Sequence, residues 1–288
     1  MTDDAGPPPS SDRQSGSGLP VGDLLDTSTV TVDLPVPSSA LAIGAHPDDV
    51  EFGAGATLAK WATAGCRVHH LVLTDGSKGS WNPGEDLGRL VADRMEECRA
   101  AAARIDGEPG RSDDPPQRVV FLGRVDGELD DDAATRREVA RVIRTVRPDV
   151  VLGHDPWRRY RLHPDHRAAG FLTIHALVAA RDPHFFGDLG LEPHRPTSLL
   201  LWEADQPNHV ERAEGFADAK VQALLCHHSQ LESTMGVDPA EGGGVGAGVE
   251  PSGDGREVFA ARLGWQLNQH GALAGIGAGE AFHLMTGL

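Results

Sequence analysis

Cysteine is scarce in this chain: Cys66, Cys98 and Cys226 are the only three, far apart and without a C-x-x-C pair. An odd, scattered set excludes a disulfide framework and a thiolate zinc site, and reads most simply as small apolar groups of a core. Basic residues are also in short supply, 26 Lys and Arg against 43 Asp and Glu, for a net charge of −17. A surface of that sign repels phosphate backbones and anionic bilayers, so neither nucleic acid nor membrane is expected as a partner. No apolar run approaches the ~20 residues that cross a bilayer. The opening MTDDAGPPPSSDRQSGSG has neither the basic start nor the apolar centre of a secretory signal, so a cytoplasmic protein is expected.

What the chain does have is enough length, 288 residues, to bury one large α/β core. Residues 1–37 are rich in Pro, Ser, Gly and Asp and read as a disordered N-terminal extension; residues 38–288 read as a single domain, with a mobile glycine-rich loop at 242–255. This domain holds five strand-like apolar runs, ALAIGA (ending at Ala45), RVHHLVLT (67–74), RVVFLG (118–123), DVVLGHD (149–155) and SLLLWEAD (198–205). Between them lie segments with apolar residues at helical spacing, FGAGATLAKWATAG, RLVADRMEECRAAAARI, ATRREVARVIRTV and HRAAGFLTIHALVAA, and EVFAARLGWQLNQH forms a last helix. This alternation predicts an α/β fold of the Rossmann-like kind: an open, mostly parallel sheet with helices on both faces. Sites in such folds lie beyond the carboxyl ends of the strands.

Two of those ends carry nearly the same tetrapeptide, HPDD at 46–49 and HPDH at 163–166. With Pro47 and Pro164 in first helical turns, residues three apart share a face, pairing His46 with Asp49 and His163 with His166. Imidazole and carboxylate donors from two strand ends can supply three ligands and leave a position for water, as a catalytic zinc requires. His46, Asp49 and His166 are the expected metal ligands, with iron(II) an alternative for the same N/O set. Asp48, beside a ligand, suits a general base, and His163, if protonated, an acid or an oxyanion-stabilising group. Either motif alone is as readily a helix cap; their pairing is what favours a metal site. The glycines of GAGAT (53–57) lack G-x-G-x-x-G and fall within the helix, so close helix packing is expected of them rather than dinucleotide binding.

The stretch AHPDDVEFGAGATLAKWATAGCRV with the distant HPDHRAAG resembles the LmbE-like, or PIG-L, de-N-acetylases, including the deacetylases of mycothiol and bacillithiol biosynthesis, over residues 38–235. The resemblance implies a zinc hydrolase that removes an acetyl group from an N-acetylglucosamine-type substrate. It matches the same three ligands, Asp48 as base and His163 as acid or oxyanion group, and implies that Arg94 and Asp126 contact substrate. A fork of donors and a carboxylate that accepts from two hydroxyls suit a polyol. Val50 stands where many members have Glu, with Glu51 one later. Where some members place an oxyanion-assisting tyrosine, this chain has Arg161, with its single tyrosine, Tyr160, one before; which of the two serves is open. TDGSKGSW (74–81) resembles a pocket-lining loop, and KVQALLCHHSQ (220–230) a late family segment in which His228 and Gln230 have no assigned role.

The expected partner is a small amino-sugar substrate, and a homo-oligomer is open. Alternative readings are an amidase acting on a larger acyl group, such as a mycothiol S-conjugate, and a non-catalytic sugar- or metal-binding domain. Retention of both Asp48 and His163 beside the ligands disfavours the binder, and too few carboxylates and no phosphate-cradling loop disfavour a two-metal phosphoesterase.

Overall fold

The structure, a computed structural model, describes residues 30–106, 118–237 and 255–288. Among these residues eight strands form one sheet: β1 (Thr31–Val32), β2 (Ser39–Gly44), β3 (Arg67–Thr74), β4 (Val119–Arg124), β5 (Val150–His154), β6 (Ser198–Trp202), β7 (His209–Arg212) and β8 (Gly279–Thr286). Their order is β1-β7-β8-β6-β5-β2-β3-β4. Neighbours are parallel except at β8, which runs antiparallel to both β6 and β7. The helices are α1 (Asp49–Thr63), α2 (Leu87–Asp106), α3 (Ala133–Val146), α4 (Pro164–Arg181), α5 (Ala217–Leu224) and α6 (Gly255–Ala272).

Alternation along the strands divides the core in two. Leu41, Ile43, Leu71 and Leu73 face α3 and α4, whose Val139, Ile143, Leu172 and Ala176 complete that layer. Ala40, Ala42, Val68 and Leu152 face the other way, against Leu58 and Trp61 of α1. Both faces are buried, which is why these strands read as continuous apolar runs. The five expected strands and five expected helices are present. Three strands and α5 lie outside that expectation, and β1 precedes Ser38, so the folded region begins earlier than the composition suggests. Residues 1–29 and 238–254, including nearly all of the glycine-rich 242–255 stretch, lie outside the described residues. Gly255 opens α6.

The first helix is not continuous. At Ala54, α1 leaves helical geometry (φ −146°, ψ 17°), breaking its hydrogen-bond ladder one turn in. The N–H groups of Ala56 and Thr57 donate instead to the Glu280 carboxylate of β8, at 3.2 and 2.7 Å. Lys220 of α5 donates to the same carboxylate at 2.6 Å and to the Phe52 carbonyl at 2.7 Å. The first turn of α1 is therefore a separate piece, held from behind by a buried ion pair. The glycines here serve packing as expected: a Cβ on residue 53 would lie 2.4 Å from the Trp202 ring, and one on residue 55 3.1 Å from the Lys220 side chain.

The cysteines Cys66 and Cys98 are buried and Cys226 partly so, all free. Burial pushes the Cys66 thiol up to about 12, so it is inert.

Candidate metal centre and active site

The functional side chains gather where the fold rule puts them, past the carboxyl ends of β2, β4, β5 and β6. Beyond β2 the chain turns sharply. Asp49 N–H donates to the His46 carbonyl (3.3 Å), and the Asp49 Oδ2 accepts the His46 N–H (2.7 Å). Pro47 thus lies in this turn, before α1 begins; Pro164, by contrast, opens α4. The expected pairing of His46 with Asp49 is present, at 3.4 Å between Nδ1 and Oδ2, but a tight turn makes it. That turn forces Asp48 to φ 118°, a left-handed conformation that costs a non-glycine residue on the order of 1–3 kcal/mol. Its side chain makes no helix-capping bond. Strain without capping is the signature of a residue placed for another purpose.

His46 Nδ1 is 3.3 Å from His166 Nε2, which is 3.3 Å from Asp49 Oδ1. The three expected ligands are therefore in mutual contact. Donors 2.0–2.2 Å from a tetrahedral ion stand about 3.3–3.6 Å apart; each pair here is that close, with Asp49 turning Oδ2 to His46 and Oδ1 to His166. His154, the last residue of β5, joins them: its buried Nε2 has no hydrogen-bond partner and lies 3.1 Å from Asp49 Oδ2. Its Nδ1 accepts from Trp202 Nε1 (3.0 Å). Three groupings bring potential ligand atoms within 4.8 Å of one another: His46, His163 and His166; Asp49, His154 and His166; His46, Asp126 and Asp165. The donor set fits a divalent ion of borderline character.

Electrostatics reinforce this. Burial disfavours charge on His46, yet Asp126 (3.2 Å), Asp165 (3.2 Å) and Asp49 outweigh it and hold its pKa well above the ordinary value. Burial would raise Asp49, but His166, His154 and His46 pull it well below the usual carboxylate range. Burial pushes Asp48 up to about 6, against the pull of Arg94. Burial carries His166 down to about 4 despite Asp49, so its ring is neutral. Arg161 Nη1 donates to His166 Nδ1 (2.9 Å) and to Glu203 Oε2 (2.5 Å). That contact places the His166 proton on Nε2; a metal ion at Nε2 requires the other tautomer, with the guanidinium turned to Glu203 alone.

Arg94, 3% exposed, is wrapped rather than free. It donates to the carbonyls of Gly76 (2.7 Å) and Pro47 (2.8 Å) and stands 3.4 Å from Asp48 Oδ2. A Cβ on Gly76 or Gly79 would come within 2.5 Å of its Nη1, so the TDGSKGSW loop closes around the guanidinium only because both are glycine. Asp126 accepts the Lys78 N–H (3.0 Å); burial opposes its charge, but His46 and that bond bring its pKa to about 2. His163 Nδ1 accepts the Asp165 N–H (3.3 Å), capping α4, and its ring stacks on His166 at 5.0 Å. Burial and His46 press its pKa down, so it is neutral here, whereas the role expected from the motif needs it protonated. Tyr160 is 91% exposed and lies away from the cluster; Arg161 is the one of the pair that reaches it.

The cluster opens into a cavity of about 480 Å³ lined by Asp48, Lys78, Arg94, Asp126, His163 and Gln230, among others. Sequence reasoning misses His154, Asp165, Glu203 and the pocket position of Gln230. Asp165 lies inside HPDH; it accepts from Gly127 (2.6 Å) and Leu129 (3.2 Å) and so ties the β4 loop to His46. His154 ends an expected strand, the same criterion that singles out His46.

The profile of the PIG-L family, described as GlcNAc-PI de-N-acetylase, matches residues 41–177. Among curated proteins, the diacetylchitobiose deacetylase of Thermococcus kodakarensis is 37% identical over 194 residues, 66% of this chain and 69% of that one. The 1D-myo-inositol 2-acetamido-2-deoxy-α-D-glucopyranoside deacetylase of Streptomyces scabiei is 34% identical over 250 residues, 67% of this chain and 76% of that one. The solved N,N'-diacetylchitobiose deacetylase of Pyrococcus horikoshii superposes with a TM-score of 0.72 at 27% identity, covering 87% of this chain and 85% of that one.

Proposed function

The chain belongs to the PIG-L family of N-acetylglucosamine-type deacetylases, and we propose that it holds zinc at His46, Asp49 and His166 and uses the surrounding residues to hydrolyse the acetamide of an amino-sugar conjugate. The observation that carries this reading is the pairwise 3.3–3.4 Å approach of those three side chains, one Asp49 oxygen turned to each histidine, at the mouth of a cavity that also admits Asp48. When bound, zinc supplies Lewis acidity toward the amide carbonyl and makes water acidic near neutral pH.

The chain's own residues do the rest. Arg94 holds Oδ2 of Asp48, leaving Oδ1 to take a proton from the attacking water and return it to the departing amine as the C–N bond breaks and acetate leaves. A base with a pKa near 6 is well matched to that exchange at neutral pH. His163, neutral before reaction, takes position beside the carbonyl oxygen and stabilises it as negative charge develops. Asp126, ionised throughout, accepts hydrogen bonds from sugar hydroxyls. Arg161, turned to Glu203 when a metal is bound, acts on the centre only through that carboxylate. Tyr160 takes no part.

The test is acetate release. Zinc-loaded protein releases acetate from N-acetylglucosaminides, a chelator abolishes it, and added zinc restores it. Absence of acetate from every N-acetylglucosaminide with metal demonstrably bound overturns the reading.

A further inference from the structure

His154 ends β5 directly opposite Trp202 on β6, and its buried ring stacks on that of His166, with centroids 4.4 Å apart. Its Nε2 is 3.1 Å from Asp49 Oδ2, close enough to share an ion with Asp49 and His166. The position of one proton decides whether it does. A metal needs a lone pair at Nε2, which in a neutral imidazole puts the proton on Nδ1.

That nitrogen faces donors. Trp202 Nε1 lies 3.0 Å from Nδ1 and Arg161 Nη1 3.5 Å, and neither an indole N–H nor a guanidinium can accept a proton. The carboxylate oxygen on this side, Glu203 Oε2, is farther off at 3.7 Å and is engaged by Arg161. Nδ1 therefore keeps its lone pair, and Nε2 carries the proton. His166 also meets Arg161, but that guanidinium has Glu203 to turn to. The indole has no such freedom: Trp202 is 1% exposed, and a Cβ on Gly53 would lie 2.4 Å from its ring. His154 is equally fixed, since a Cβ on Gly170 of α4 would stand 2.7 Å from its carbonyl oxygen. Of the two stacked rings, only His166 is free to present a lone pair at Nε2.

The proton on His154 has a use. Asp49 Oδ2 already accepts the His46 N–H (2.7 Å), and His154 Nε2 stands against the same oxygen; Oδ1, turned to His166, is left for the ion. Resting on the metal reading above, we propose that Trp202 holds His154 out of the ligand set and makes it a positioning residue. Its N–H steadies the Asp49 carboxylate, and one coordination position stays open for water.

The experiment measures zinc affinity by chelator competition, and the visible d–d bands of the cobalt(II)-loaded protein, for the unaltered chain, His154→Leu, His154→Gln and Trp202→Phe. His154→Leu is expected to weaken zinc about 10–100-fold while the cobalt bands stay in place, because the ligands are the same. His154→Gln keeps an N–H donor and recovers most of the affinity. Trp202→Phe removes the indole N–H and frees the other tautomer, so Nε2 replaces water on the ion: the cobalt bands shift and kcat falls. Cobalt bands that move in His154→Leu as they do in His166→Ala make His154 a ligand and overturn the proposal. Unchanged zinc affinity in His154→Leu overturns it too, as do unmoved bands in a folded Trp202→Phe. The two His154 variants decide the matter whether or not Trp202→Phe folds. No zinc bound by the unaltered protein overturns the metal reading itself, and the positioning role with it.

Discussion

Two clusters of histidine and carboxylate sit within a few residues of each other on α1, and they are put to opposite uses. The outer one, around Asp49, crowds the rings of His46, His154 and His166 about a single carboxylate, with close contacts of 3.1–3.4 Å, beside an open cavity. The inner one begins two residues on at Glu51 and is closed. It alternates base and acid, with His227 3.5 Å from Glu51, Glu51 4.0 Å from His70 and His70 3.5 Å from Asp106. Three rings converging on one carboxylate leave donor atoms facing a common point that an ion can occupy, whereas groups that alternate in a closed chain neutralise one another in pairs. Residue type is the same in both places; arrangement and access separate a reactive centre from a structural one.

The sharpest way to break this contrast is Asp48→Asn, which removes the base and leaves the ligands. A loss of about 10²–10⁴ in kcat is expected with zinc content unchanged, measured by acetate release and metal analysis of the same sample. Asp48→Gly should abolish turnover similarly while raising the unfolding midpoint, since glycine accepts φ 118° without strain.

In the inner cluster the loss falls on stability. Glu51→Ala strands two buried imidazoles and is expected to cost about 3–5 kcal/mol in urea unfolding. Arg161→Ala, next in size, removes the donor that holds the His166 proton on Nε2 and should strengthen zinc binding about 2–10-fold, read by competition with a chelator.

Acid–base behaviour sharpens the inner cluster further. Burial lowers the pKa values of His70 and His227, but Asp106 and Glu51 outweigh it and raise both above the ordinary value. Their stabilisation is therefore complete below about pH 6.5, the unfolded value, and declines as pH climbs through the raised folded values. His70→Gln with His227→Gln should flatten unfolding midpoints across that window; an unchanged slope counts against the assignment. Smallest of all, Tyr160→Ala should alter kcat/KM by less than about twofold, as expected of a side chain in open solvent.

Much of the molecule is legible in the residues themselves. The strands β2, β3, β5 and β6 announce themselves because both faces are buried, edge strand β4 by its apolar VVFL run, and the twin tetrapeptides mark the ends that matter. What stays hidden depends on the third dimension. HVER and GEAFHLMT carry too few consecutive apolar residues to stand out from loop, and two-residue β1 exists only by pairing with β7. His154 is a single histidine in sequence, and only the adjacency of β2 and β5 brings it to Asp49. The strain at Asp48 is likewise a product of the turn, invisible in HPDD as letters. Pro47 reads as helical because proline is as compatible with a first turn as with the bend that precedes it.

The position of β8 has a consequence for how the molecule is made. A ribosome delivers the five strands β4-β3-β2-β5-β6 before residue 203, and these can assemble as synthesis proceeds. Within the sheet, β7, and β1 with it, pairs to that assembly through β8, the last of the strands in chain order, and Glu280 arrives with it to secure the broken first turn of α1. The turn that carries Asp49 is thus locked by a residue translated after every other strand of the sheet, so the nascent protein cannot complete its reactive centre until β8 is free of the exit tunnel.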